Sequence, residues 1–121
     1  MKAFEQEAKE KWGKTRAYRE YEEKNYSRQA QDALAEGMDG IMAEFALCMK
    51  RGEAPDSIQA QSLVKKLQNY ISEYYYHCTN QILAGLGQMY VADGRFKNNI
   101  DKHADGTAVF ICESITAYCR K

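Results

Sequence analysis

His77 and Cys78 stand side by side at the end of an aromatic run, Tyr74-Tyr75-Tyr76, and a thiol beside an imidazole is the pairing that nucleophilic catalysis uses. The spacing argues against that use. Neighbouring residues on a helix point about 100° apart, and no obvious third group orients the imidazole, so no catalytic residues and no enzymatic activity are expected. Cys78 keeps another route to reactivity, because Thr79 or Asn80 starts a helix and a helix N-terminus lowers a thiol pKa. The competing reading is a small buried hydrophobe. The tyrosines carry a different chemistry: three in a row cannot share one helix face, so at least one ring looks away from the core. Gly85 and Gly87 follow within the next helix, each costing roughly 1 kcal/mol there unless a backbone or a ligand approaches closely. Rings, a thiol and glycines together predict a lined cleft.

The remaining candidates are weaker. Met38, Met42, Met49 and Met89 lie on apolar stripes, where thioethers fill irregular space in ligand pockets but more often simply fill a core. Cys112 and Cys119 are seven apart and share a helix face, which core packing explains. The four cysteines have no CxxC spacing, so free thiols are expected, with no metal site and no cofactor. His103 stands isolated in a polar stretch and reads as a surface residue. The charge runs Lys9 to Lys11 and Glu20 to Lys24 alternate in sign, as solvated helix faces do.

The elements that must position these residues are helices. Pro55 is the only proline, and apolar residues recur at intervals of three and four almost throughout. Phe4, Ala8 and Trp12 form a first stripe ending at Gly13. Thr15 then caps a short, highly charged helix over 16–24. These N-terminal helices, residues 1–26, are expected to be mobile beside a helical core over 27–121. Ser27 caps a long helix to about Arg51 with the stripe Leu34, Met38, Ile41, Met42, Phe45 and Met49. Gly52 to Ser57 is the clearest break, with Asp56 and Ser57 as candidate caps. The next helix buries Ile58, Leu63, Val64, Leu67, Tyr70, Ile71 and Tyr74. Thr79 caps a helix carrying Ile82, Leu83, Leu86, Met89 and Tyr90 up to Asp93-Gly94. Arg95 to about His103 forms a short helix with Phe96 and Ile100 inward. After Asp105-Gly106 a last helix bears Val109, Phe110, Ile111, Ile115 and Tyr118.

A chain of 121 residues holds one domain and one core. Seventeen basic and seventeen acidic residues cancel, so no overall field draws this chain to nucleic acid or to an anionic membrane. No apolar run approaches the roughly 20 residues of a membrane span, and the charged start has no signal-peptide core. A cytoplasmic protein is expected.

Four strings in order carry a resemblance: KWGKTRAYRE at Lys11 to Glu20, RGEAPDS at Arg51 to Ser57, Tyr76-x-Cys78, and LGQMYVADGRF at Leu86 to Phe96. Together they span nearly the whole chain and resemble the TipAS-type antibiotic-recognition domain. The resemblance implies a globin-like all-α bundle of about six to seven helices with a ligand cleft. Such a module usually forms the C-terminal half of MerR-family transcription activators, behind a winged helix-turn-helix and a dimerising coiled coil. Neither DNA-binding part lies within these residues, so this chain alone is expected to be a monomer that binds no DNA. Fused to those parts it is expected to dimerise and reach promoter DNA. In founding members the module captures thiopeptides, and the expected lining here is Tyr74, Tyr75, Tyr76, Cys78, Ile82, Gly85, Met89, Tyr90 and Phe96. One departure matters. Founding members carry a cysteine seven residues past the match of Cys78, where it adds to a ligand dehydroalanine, and here that position is Gly85. Thr79 to Leu83 also lacks the family's Met-His pair. Binding is therefore expected to be reversible unless Cys78 substitutes. Alternatives are a free-standing drug-sequestering resistance protein and a helical protein-interaction module.

Overall fold

The computed structural model describes residue 24 and residues 26–120, and every regular element among them is helical: α1 (Arg28–Lys50), α2 (Ile58–Tyr74), α3 (Asn80–Ala92), α4 (Gly94–Asp101) and α5 (Thr107–Cys119). The all-α expectation holds. The two expected helices before Ser27 and the expected mobility of 1–26 lie outside the described residues, Lys24 and Tyr26 apart.

The helix starts follow from short polar caps. Ser27, Ser57 and Thr79 each sit in extended conformation and accept a hydrogen bond from the amide three residues on, Ala30, Ala60 and Ile82, at 3.1 to 3.2 Å. Each cap satisfies an amide that the helix itself leaves free, worth about 1 kcal/mol. Of the two candidates before α2, Ser57 is the cap. Asp93 ends α3 and caps α4 through Arg95 N at 3.0 Å, so α4 starts at Gly94 and is spent by Asp101, two residues short of the expected His103.

α1 stops in a glycine turn. Gly52 is left-handed at φ 82°, its amide bonds to Met49 O and the Glu53 amide to Cys48 O. This pair of bonds closes a helix end only when the residue after the cap accepts positive φ. The chain then reverses, so that α1 and α2 pack as a hairpin, with Lys66 Nζ 2.8 Å from a Glu44 carboxylate oxygen across it. The central packing is α3 against α5. Phe45, Val64, Leu67, Leu83, Ile111 and Ile115 from four helices are fully buried.

Two expectations fail for physical reasons. Ile58, read as core, is 83 % exposed, because it points away from the side of α2 on which Ala60, Gln61 and Val64 are buried. Val109, among the apolar residues of the last helix, is 42 % exposed, since its neighbours Ala108 and Phe110 to Ile111 take the core side of α5. His103 is not an isolated surface residue: its Nε2 lies 3.0 Å from Asp39 Oδ1, 64 positions earlier in the chain, and Lys102 joins the same carboxylate at 3.2 Å. The Asp39 carboxyl is lowered despite its burial, which acts to raise it, because the His103 and Lys102 hydrogen bonds outweigh that.

Candidate functional site

The site forms where α2 ends. Tyr75 N and Tyr76 N both bond to Ile71 O, at 2.9 and 3.0 Å, so the last turn is overdrawn and the chain leaves the helix at Tyr75. It does not restart until Thr79. Between these points the backbone has no helix to satisfy it, and α2 side chains do so instead: Ser72 Oγ accepts from Cys78 N at 3.0 Å, and Gln68 Nε2 donates to Cys78 O at 2.9 Å.

This arrangement gathers the rings. The Tyr70 ring lies 5.0 Å from that of Tyr74 and 6.3 Å from that of Tyr75, both tilted. Tyr90 of α3 lies 6.1 Å from Phe96 of α4. Tilted rings at these separations are favourable contacts of the edge-to-face type. The two groups meet at the core, since Tyr75, Tyr76 and Phe96 pack against the buried cluster that includes Cys78 and Tyr90; burial raises the Tyr90 hydroxyl pKa, and Tyr76, Cys78 and Tyr75 raise it further. Tyr76 is likewise raised by burial, then by Cys78 and Tyr75. Of the residues expected to line the cleft, Tyr74, Tyr75, Tyr76, Cys78, Tyr90 and Phe96 thus form one connected cluster. Tyr70, which sequence reasoning assigned only to the buried face of α2, belongs to it as well. Its position four residues before Tyr74 was the available signal.

Ile82, Gly85 and Met89 form a second strip, three and four residues apart along α3, with Ile82 and Met89 half-buried and Gly85 exposed. The two glycines have different reasons. A methyl group on Gly87 would meet Ile115 Cδ1 at 3.3 Å, so α5 requires the small residue, whereas one on Gly85 would meet nothing within 4 Å. Apart from this strip, a shallow groove of about 490 Å³ follows α2, walled by Ser62, Lys65, Lys66, Asn69 and Glu73 and headed by Tyr70 and Tyr74.

Cys78 is buried although it directly precedes the α3 cap, while His77 beside it is exposed. The two side chains therefore diverge. Burial, with Cys119 nearby, pushes the Cys78 thiol from 9.0 up to about 11, overriding any helix-terminus effect and keeping it protonated at neutral pH. Cys112 and Cys119 are only half-buried, and Cys119 Sγ points to Asn80 O at 3.4 Å. Among the described residues no cluster of three His, Cys, Asp or Glu is placed to hold a metal ion, and no helix is long and apolar enough to cross a membrane.

The model of the TipAS antibiotic-recognition domain matches residues 4–118. The chain belongs to this family. Among curated relatives, the HTH-type transcriptional activator TipA of Streptomyces coelicolor is 33 % identical over 116 residues, covering 94 % of this chain and 46 % of the relative. The HTH-type transcriptional activator mta of Bacillus subtilis is 38 % identical over 81 residues, 67 % of this chain and 31 % of the relative. The chain thus spans less than half the length of either activator. A solved structure of TipAS from Streptomyces lividans in complex with nosiheptide superposes with a TM-score of 0.86 at 31 % identity, over 98 % of this chain and 85 % of that one.

Proposed function

We propose that this chain is the effector-recognition domain of a MerR-type transcription activator and binds a bulky, heterocycle-rich antibiotic of the thiopeptide kind reversibly, in the cytoplasm. The observation that carries the reading is the cluster of Tyr70, Tyr74, Tyr75, Tyr76, Tyr90 and Phe96 packed about the α2–α3 turn, in a chain whose relatives are such activators. Flat heterocycles stack on tyrosine faces, and the hydroxyls keep polar contacts with the macrocycle. Gly85 offers no thiol and Cys78 holds its proton under burial, which supports recognition without covalent capture. Ile82, Gly85 and Met89 would form a second wall, with open space above Gly85 for ligand bulk.

The test is titration of the purified chain with nosiheptide, followed by calorimetry and by intact mass. Saturable binding at unchanged mass supports the reading. A chain that takes up no nosiheptide would remove thiopeptides from it.

A further inference from the structure

Resting on that reading, we propose that Gln68 is the positioning residue of the aromatic site: its amide fixes the path of Tyr75 to Cys78 and ties that path to the end of α5. Three bonds define its orientation. The amide nitrogen donates to Cys78 O at 2.9 Å and to Asn80 Oδ1 at 2.8 Å, while the amide oxygen accepts from the Tyr118 hydroxyl at 3.2 Å. Cys78 O can only accept and sits on the nitrogen side, so the amide cannot be turned over without opposing two oxygens.

Gln68 and Ser72 are four residues apart and share a face of α2. Between them they hold both polar backbone groups of Cys78, Ser72 the N–H and Gln68 the C=O. A non-helical segment that is pinned at one residue by two side chains has its path set there. Two residues earlier Tyr76 packs against the buried core that holds Tyr90, and one residue before that Tyr75 meets Tyr70. Ligand-facing rings are thus aimed from behind by a residue that lines none of the ring contacts. Through Tyr118, the last residue but one of α5, the same amide makes the aromatic wall sensitive to where that helix end sits.

The test uses the two buried thiols as reporters. Cys78 is 3 % exposed within the pinned segment, and Cys48, in the last turn of α1, is 5 % exposed against the core. In Gln68→Leu, which keeps the stem and deletes all three bonds, alkylation of Cys78 should rise about tenfold relative to Cys48, and nosiheptide affinity should fall about tenfold. Tyr118→Phe, losing one bond, should show a smaller change in the same direction. Equal acceleration at Cys78 and Cys48 would mean general destabilisation and overturn the proposal, as would wild-type labelling in Gln68→Leu. If the unaltered chain does not bind nosiheptide, the thiopeptide reading fails, while the ratio of the two labelling rates still decides whether Gln68 positions the segment.

Discussion

The Tyr70 hydroxyl lies against the backbone of α1 at Gly37, in the space where a methyl group on that residue would go. The phenol donates to Leu34 O at 2.7 Å, so α2 reaches into the side of α1 and the contact depends on a missing side chain. The ring has little freedom to retreat, since Tyr74 and Tyr75 flank it. The same residue therefore joins the helix hairpin to the aromatic site.

Gly37→Ala should destabilise the chain by about 1–3 kcal/mol through overpacking, against a gain of about 1 kcal/mol in helix propensity. Urea unfolding of Gly37→Ala, Tyr70→Phe and the double variant checks this. Removing the hydroxyl should recover part of the alanine cost, and an alanine variant more stable than the parent, with no recovery in the double variant, would refute the contact.

Gly85 should behave oppositely. Open space above it means that Gly85→Ala gains helix propensity, about 0.5–1 kcal/mol of stability, without a clash. Gly85→Cys should convert reversible binding into capture: the thiol adds across a ligand dehydroalanine with no leaving group, so the intact mass rises by that of the whole ligand. Mass spectrometry after incubation with nosiheptide reads it directly.

Asp101 caps α5 from a distance. Gly106 enters that helix left-handed and supplies no side-chain cap, and Asp101 Oδ1 accepts from Ala108 N at 2.9 Å instead, with Lys97 at 3.2 Å on the other oxygen. Burial would raise this carboxyl, but the Ala108 and Lys97 bonds prevail and lower it below 3.8. A lowered folded-state value contributes stability above the unfolded value that is lost as pH falls through the folded one. Asp101→Ala should cost about 1–2 kcal/mol at pH 7, and the gap to the parent should close in acid denaturation below the ordinary carboxylate range.

At the alkaline end the sign reverses. The Cys78 thiol is raised from 9.0 to about 11, so the folded chain holds a proton the unfolded chain releases, and stability falls as pH rises across that window. Cys78→Ala should lose part of this alkaline sensitivity in denaturant titrations at pH 8 and pH 10.

Much of this was legible in the residues because it is local. Ser27, Ser57 and Thr79 cap their own next turn, and the three-tyrosine run announces rings that one helix face cannot bury. What escaped depends on distance. The Asp39 and His103 pair spans 64 positions, and Gln68 reads as any polar helix residue until the loop returns to it. Gly85 and Gly87 look alike in sequence, and only the approach of Ile115 separates them. Ile58 and Val109 are apolar residues of first turns whose other members, Ala60 and Gln61 or Thr107, Ala108 and Phe110, take the covered side.

Calorimetric titration of the chain with nosiheptide, repeated on Tyr76→Ala and Tyr90→Ala and paired with intact mass, tests the central claim most directly. Saturable binding of the parent at unchanged mass, weakened by about tenfold or more in each ring deletion, is the predicted result. Saturable binding that both deletions leave unaltered, or a mass gain in the parent, would contradict it.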